Sequence, residues 1–274
     1  MLIFVVKKIT KHFVTYFCHL FSHTFMNTII NGFDSISLDA MSSVKLMNRV
    51  DTKFVTTMPQ LVRLLRMAHD DYFMQEIDGK RSSAYTTLYY DTPALDMYIT
   101  HHNGCLGRQK VRVRQYVDSG LTFLEVKNKN NHRRTRKKRI AITGFDIAGE
   151  EKHRFLEPLC WYDIDTLRPA LRNWFSRITL VNKGKTERVT IDTELRYHNF
   201  GTGLDKALEQ VVIIELKRDG NVPSPLLAML RDLHIHPHGF SKYCIGTALT
   251  NPLVKQNRLK EKIHYVHRLI ERNA

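Results

Sequence analysis

Lys110, Arg112 and Arg114 alternate with Val111 and Val113 in the segment KVRVRQY. A β-strand sends successive side chains to opposite faces, so this strand has one cationic and one apolar face. The next apparent strand, TFLEVKNK, repeats the arrangement: Glu125, Lys127 and Lys129 share one parity, Leu124 and Val126 the other. Between Gly107 and Ile142 lie twelve of the chain's 42 Lys and Arg residues, against two acids, Asp118 and Glu125. The segment therefore supplies +10 of a formal net charge of +15. A single strand of this kind is ordinarily a solvated face. Cations on one face of adjacent strands, with the opposite parity apolar, point instead to a surface or lumen for a polyanion.

Other candidate strands extend the pattern. Lys53, Arg112, Arg114, Lys127, Lys137, Arg139, Arg177, Arg188 and Lys217 all fall on like faces, which they share with Asp51, Glu125, Asp192 and Glu215. A closed barrel accommodates this, its outer face packed under helices and its lumen charged. Two like charges ~4 Å apart cost about 4 kcal/mol at an effective dielectric of about 20, so such a lumen must be wide, wet or filled by anions. Phosphate suits it, because Arg donates bidentate hydrogen bonds and Lys acts as a point charge. Mg²⁺ or Mn²⁺ characteristically bridges one or two carboxylates and substrate phosphates, and Glu215, on an apolar strand beside Lys217, is the best candidate ligand. Phosphoryl transfer needs mainly positioning and charge neutralisation. P-loop, kinase and dinucleotide glycine signatures are absent from the sequence, so any such chemistry must use side chains.

The elements that must position these residues follow from pattern. RVDTKFVTT reads as a strand, and MPQLVRLLRMAHD as a helix with Leu61, Leu64, Leu65 and Ala68 at helical spacing. DYFMQEI and SSAYTTLYYDT read as strands, PALDMYITHHNG as a short helix, and RTRKKRIAIT as the third cationic strand. Residues 150–170 read as helical or irregular. NWFSRITLVN and ERVTIDTEL form a strand pair about a KGK turn, and QVVIIELKRD is a buried-type strand. SPLLAMLRDLHI is a helix, SKYCIG opens another, and VKQNRLKEKIHYVHRLIER is a basic helix; ISLDAMSSVKLMN, near the start, is a short helical segment. About eight strands with few βαβ alternations predict an α+β fold, an antiparallel sheet or closed barrel with peripheral helices.

The chain's 274 residues are 43% hydrophobic, enough for a substantial core. Cys18, Cys105, Cys160 and Cys244 are scattered without a CxxC and read as cytosolic thiols, giving a cytoplasmic expectation. His234, His236 and His238 form an HxHxH run beside Pro237 and Gly239, which reads as a loop rather than a metal site. Residues 1–25 are apolar but interrupted by Lys7, Lys8 and Lys11, and fit neither a spanning helix nor a signal peptide. They read as an N-terminal extension, disordered or upstream of a start at Met26. A membrane-surface helix there would give peripheral membrane contact. Residues 26–274 are then one domain.

RVDTKF, TLYYDT, KVRVRQY, LEVKNK, RKKRI, ERVTIDTEL, IIELK and FSKYCIG occur in that order over roughly residues 30 to 250, and in this the chain resembles the VTC domain. That is the catalytic domain of polyphosphate polymerases of the vacuolar transporter chaperone type, one of the CYTH-like triphosphate tunnel metalloenzymes. The resemblance implies an antiparallel β-barrel tunnel lined by basic residues. It implies polyphosphate synthesis from the terminal phosphate of ATP, with Mn²⁺ or Mg²⁺. It assigns catalytic positions to Lys53, Arg112, Arg114, Lys127 and Arg188, substrate binding to Lys137 (with Lys138 competing for register), Arg177 and Lys242, and metal binding to Glu215. Hydrolytic relatives carry E-x-E-x-K on the first strand, where this chain has Arg49, Asp51 and Lys53. Loss of the first acid favours the polymerase branch.

The partners so implied are ATP and inorganic polyphosphate. No nucleic acid is expected, and no partner protein is identifiable. No helical sensor domain or transmembrane bundle flanks the tunnel segment within the sequence. ATP would enter one mouth and the growing chain leave by the other, with the acceptor phosphate as nucleophile. The alternatives are a tunnel phosphohydrolase and a non-catalytic binder of polyphosphate or RNA. Arg108, Arg133, Arg134 and Arg136 read as rim or turn charges, and the cations of the C-terminal helix as solvated.

Overall fold

The fold is described from a computed structural model that covers residues 26–42, 49–132, 134–220 and 222–271. The expectations for residues 1–25, for Arg133 and for the second half of ISLDAMSSVKLMN lie outside the described residues. Helix α1 spans 26–32, followed by β1 (Ser35–Ser37) and α2 (Leu38–Ser42). Then come β2 (Arg49–Thr57), α3 (Met58–Ala68), β3 (Tyr72–Glu76), β4 (Ser83–Asp91), α4 (Asp96–His102), β5 (Arg108–Tyr116), β6 (Thr122–Lys129) and β7 (Thr135–Ala141). The remainder is α5 (Glu150–Leu156), β8 (Arg168–Asn182), β9 (Glu187–Asn199), β10 (Asp205–Leu208), β11 (Val211–Asp219), α6 (Pro225–Asp232), α7 (Lys242–Thr250) and α8 (Lys260–Glu271).

The strands form one sheet in the order β2-β11-β9-β8-β4-β5-β6-β7, antiparallel throughout this path. The side strands are β10, which pairs with β9, and β3, which pairs with β8 and, in parallel, with β1. The hydrogen-bonded ladder is open: β2 and β7 end the path and do not pair with each other. The sheet is nonetheless curled. Lys53 Nζ on β2 donates to the Phe240 carbonyl at 3.1 Å, and Lys110 Nζ on β5 donates to Ser241 Oγ at 3.1 Å. Two consecutive residues thus meet strands five ladders apart. The seam strand β2 is not left bare. His238 N–H donates to the Lys53 carbonyl (2.7 Å), Phe54 bridges to Pro237, and the Tyr265 hydroxyl of α8 donates to the Val55 carbonyl. Covering an edge in this way removes exposed strand hydrogen-bonding groups.

The convex face is apolar where the strands alternate. Phe54, Val212, Ile214, Leu216, Val189 and Ile191 pack under α3 and α6, where Leu61, Leu64 and Leu65 of α3 meet Leu226 and Leu230 of α6. Leu88, Val111, Val113, Leu124 and Val126 pack under α4 and α5 through Met97, Tyr98 and Leu156. Burying each such side chain contributes roughly 1.5–3 kcal/mol. Pro59 sits in the first turn of α3, where its missing N–H costs nothing.

Helix α7 lies on the concave side instead. Tyr243 stacks on Tyr89 (5.0 Å between centroids), and Gly246 faces Tyr197 and Leu171. A Cβ at Gly246 would stand 2.4 Å from Tyr197 Cδ1, so the helix approaches this closely only because residue 246 has no side chain. Asp91 anchors the arrangement, accepting from the Met97 and Tyr98 N–H groups and from the Tyr243 hydroxyl. Among the described residues no helix is long and apolar enough to cross a membrane.

Candidate functional site

Register alone gathers the charged residues on the concave face. Lys53 lies opposite Glu215, Lys217 opposite Arg188, and Arg177 opposite Asp192. Across β4, Arg114 and Arg112 stand opposite Thr87 and Tyr89. On the far side Arg112 faces Glu125, and Lys127 lies between Lys110 and Lys137. Lys242 is added from the first turn of α7, behind the N-cap Ser241. Lys137 faces inward, while Lys138, opposite Val126, lies on the outer face.

Two buried carboxylates each hold a pair of these cations. Glu125, 1% exposed, accepts from Arg112 Nε and Nη2 (both 2.7 Å) and from Lys137 Nζ. Burial opposes its ionisation, but Arg112, Arg114 and Lys137 hold its pKa down to about 2. Asp192 accepts from Arg177 Nε (2.5 Å) and Nη2 (2.8 Å), and from Lys242 Nζ. Burial opposes its charge too, and Arg177 and Lys242 outweigh it, so the carboxyl stays far below the usual range. These clamps fix four cations in place before any ligand arrives, and such preorganisation makes charge stabilisation effective.

An aromatic layer lies among the cations. Tyr85 and Phe175 stack at 5.1 Å with a 2° interplanar angle. Arg114 and Arg177 each lie 5.2–5.7 Å from both ring centroids, and Lys242 Nζ is 4.4 Å from Phe175. Ring faces attract cations, more strongly where water is scarce, and so offset part of the like-charge repulsion.

Glu215 differs from the clamps. Its nearest partner is Lys217 Nζ at 3.5 Å, and its side chain is 22% exposed. Burial works against its charge, but Lys217, Lys53, Arg177 and Lys242 keep its pKa at about 2. Among the described residues no three His, Cys, Asp or Glu side chains converge. A hard divalent ion can take one carboxylate and complete its shell from phosphate and water, and an ionised, accessible Glu215 fits that role. Asp51 is exposed at the rim opposite Lys217, and the side chain of Arg49 lies outside the described residues. His234 and His236 are exposed, and His238 stacks on Tyr265 at 4.3 Å.

Lys110 and Lys127 titrate early. Burial, with Lys53, Arg112 and Arg108, lowers Lys110 to about 8; desolvation by the crowded chamber wall, with Arg112, Lys110 and Lys53, lowers Lys127 to about 8, although part of its side chain reaches solvent. An unfolded lysine titrates near 10.4. Between these values the unfolded chain binds more protons, so these two groups make the free protein more stable as pH rises from about 8 to 10. An anion bound beside them would raise both pKa values again. Tripolyphosphate is therefore expected to bind more weakly as pH rises above about 8, and with proton uptake. Calorimetric titration in two buffers of different ionisation enthalpy measures that uptake; identical heats in both would contradict it.

The structure brings Lys53, Arg112, Arg114, Lys127, Lys137, Arg177, Arg188, Lys242 and Glu215 to one concave face. It also adds Lys110, which shares the parity of Arg112 and was legible on that ground. Helix α7 packs over one part of this face, on Tyr89, Tyr197 and Leu171. A separate cleft of ≈ 550 Å³ on the outer side, lined by Tyr90, Asp146, Glu150, His153, Asp165 and Arg168, carries mostly acids, the wrong sign for phosphate.

A curled antiparallel sheet with helices outside and clamped cations inside defines a protein of the triphosphate tunnel fold. The VTC domain family matches residues 48–251, and the chain belongs to that family. Among solved structures, the chain is similar to a putative adenylyl cyclase of Hippeastrum described as having a dominant triphosphatase activity. The two share 15% identity over 76% of this chain and 99% of that one, with a TM-score of 0.45. A putative adenylate cyclase of Vibrio parahaemolyticus gives 14% identity over 72% and 96%, with a TM-score of 0.42. Likeness at this level carries no argument about chemistry. No curated protein matches the sequence.

Proposed function

We propose that the protein is a polyphosphate polymerase that transfers the terminal phosphate of ATP to the end of an inorganic polyphosphate chain. The observation that carries this reading is the concave face itself: two carboxylate-clamped cation pairs standing beside a separate ionised carboxylate, Glu215. Lys53, Arg112, Arg114, Lys127 and Arg188 align the terminal phosphate of ATP with the acceptor. Lys137, Arg177 and Lys242 hold the phosphate chain. An oxygen of the acceptor's terminal phosphate forms the new P–O bond as the bond to the ADP oxygen breaks. The acceptor is already an anion, so no protein base is required, and ADP leaves with the bonding electrons. The work of the residues is to place two anions in contact and screen their repulsion.

Glu215 would hold Mn²⁺ or Mg²⁺ together with phosphate oxygens, and the ion would supply further neutralisation of phosphate charge. Arg49 and Asp51 at the first strand, in place of two glutamates, support transfer over hydrolysis. Cys105, Cys160 and Cys244 are free thiols, in keeping with a cytoplasmic site of action. Glu215→Gln is expected to raise the Mn²⁺ concentration needed for half-maximal activity at least about tenfold, the scale on which even indirect partners of a metal act. Tripolyphosphate binding without metal should persist in that variant. An unchanged Mn²⁺ requirement would remove Glu215 from the site.

A further inference from the structure

Strand β7 differs from its neighbours β5 and β6 in what it exposes on its outer face. Its neighbours bury their outward parity: Val111, Val113, Leu124 and Val126 are at most 2% exposed. On β7 the outward residues include Arg136 and Lys138, both exposed, while Ile140 further along the strand packs against the core. Its inward residues, Lys137 and Arg139, face the chamber, so the strand is cationic on both sides. It also ends the hydrogen-bonded path, unpaired with β2. Arg134, in the turn before it, adds another exposed cation. Among the described residues, Arg134, Arg136 and Lys138 have no carboxylate partner, in contrast to Arg112, Lys137, Arg177 and Lys242.

Helix α7 covers the part of the chamber walled by β4, β8 and β9. There α7 is buried from Tyr243 to Ala248, its Gly246 pressed on Tyr197 and Leu171 and its Tyr243 fastened to Asp91. The α7 N-cap Ser241 accepts from Lys110, whose register partner Lys127 and, beyond it, Lys137 lead to the free sheet edge at β7, and that edge offers a way out for a chain longer than the chamber.

We infer that β7 is an external track for the polyphosphate product, which leaves the chamber past Lys127 and Lys137 and crosses to Arg136 and Lys138 on the outer face. This rests on the polymerase reading for the identity of the chain, and on the geometry for its route. Same-face residues on a strand are about 7 Å apart, so Arg136 and Lys138 contact a linear polyanion at successive points. A ligand too short to cross the strand meets only the chamber.

The test compares long-chain inorganic polyphosphate with tripolyphosphate, titrated into the full chain and into an R136E/K138E variant. Affinity for the long chain should fall about tenfold or more, and its salt dependence should flatten by roughly the contribution of two phosphate contacts. Tripolyphosphate affinity should not change. Equal long-chain affinity in both proteins would overturn the track, and so would parallel loss of both ligands, which would place these residues' effect in the chamber. Unchanged polyphosphate binding with lost binding to phosphatidylserine vesicles would assign the strand to a membrane surface and also overturn it. An R136A/K138A variant serves where charge reversal lowers the melting temperature. These are binding measurements, so a failure of the polymerase reading would appear in the reaction products and leave them unmoved.

Discussion

Arg112→Ala should lower kcat for phosphate transfer by about 10²–10³-fold, the cost of removing one preorganised donor from a transferring group. The size follows from the position of Arg112. It is the central cation of β5, with Arg114 two residues on and Lys127 on the next strand, and Glu125 fixes it through Nε and Nη2. Its charge is secure, since Glu125 and Tyr89 raise the guanidinium pKa despite burial. Alanine leaves Glu125 paired with Lys137, so the fold keeps its clamp in part and the loss should be mainly in kcat. Arg112→Lys keeps the charge without the fork and should fall between the two proteins. Steady-state kinetics with ATP, alongside a melting curve for each variant, would measure this. Full activity in Arg112→Ala would contradict the assigned role.

Asp192→Ala should destabilise the free protein by about 3–5 kcal/mol, because it leaves buried cations without their counter-ion. Asp192 is 3% exposed and is the shared acceptor for Arg177 and Lys242. At this chain length each kcal/mol corresponds to about 2–4 °C in melting temperature. Tripolyphosphate should restore much of the loss, since an anion that binds only the folded state supplies the missing charge. The carboxyl is held below its ordinary pKa, so its contribution is present above about pH 4 and fades as pH falls. Thermal melts with and without tripolyphosphate would test both parts. A variant as stable as the parent would show that the clamp is not what holds the face together.

The chemistry of this face was legible in the sequence because a strand has a period of two. The parity that groups Lys53, Arg112, Arg114, Lys127, Arg177, Arg188 and Glu215 is the register that the sheet adopts. Parity does not say which acid holds which base. Asp192 takes its partners from β8 and from α7, the latter 50 residues away. The aromatic layer has the same origin: Tyr85 and Phe175 meet only when β4 and β8 pair.

Element limits failed where tertiary contacts decide them. β8 begins at Arg168, five residues before the segment that reads as a strand, because RPALR contains Pro169 and lacks alternation. Pro169 is accommodated where the ladder with β4 shifts register. β1 and β10 have three and four residues and exist through pairing with β3 and β9. The strand pattern allows an antiparallel sheet or a closed barrel, and the sheet that forms is curled with an open ladder, which segregates charge equally well. The C-terminal helix carries a basic pattern that reads as solvated, yet it buries Val266 and caps the β2 edge through Tyr265.

The central claim concerns the fate of one phosphate. Purified protein incubated with Mn²⁺ and ATP labelled on its terminal phosphate, with products separated by gel electrophoresis, follows that phosphate directly. The account predicts a ladder of labelled polyphosphate, with ADP released as the chains lengthen. Label found only in orthophosphate, with no polymer at any time, would contradict it and make the chamber a hydrolase.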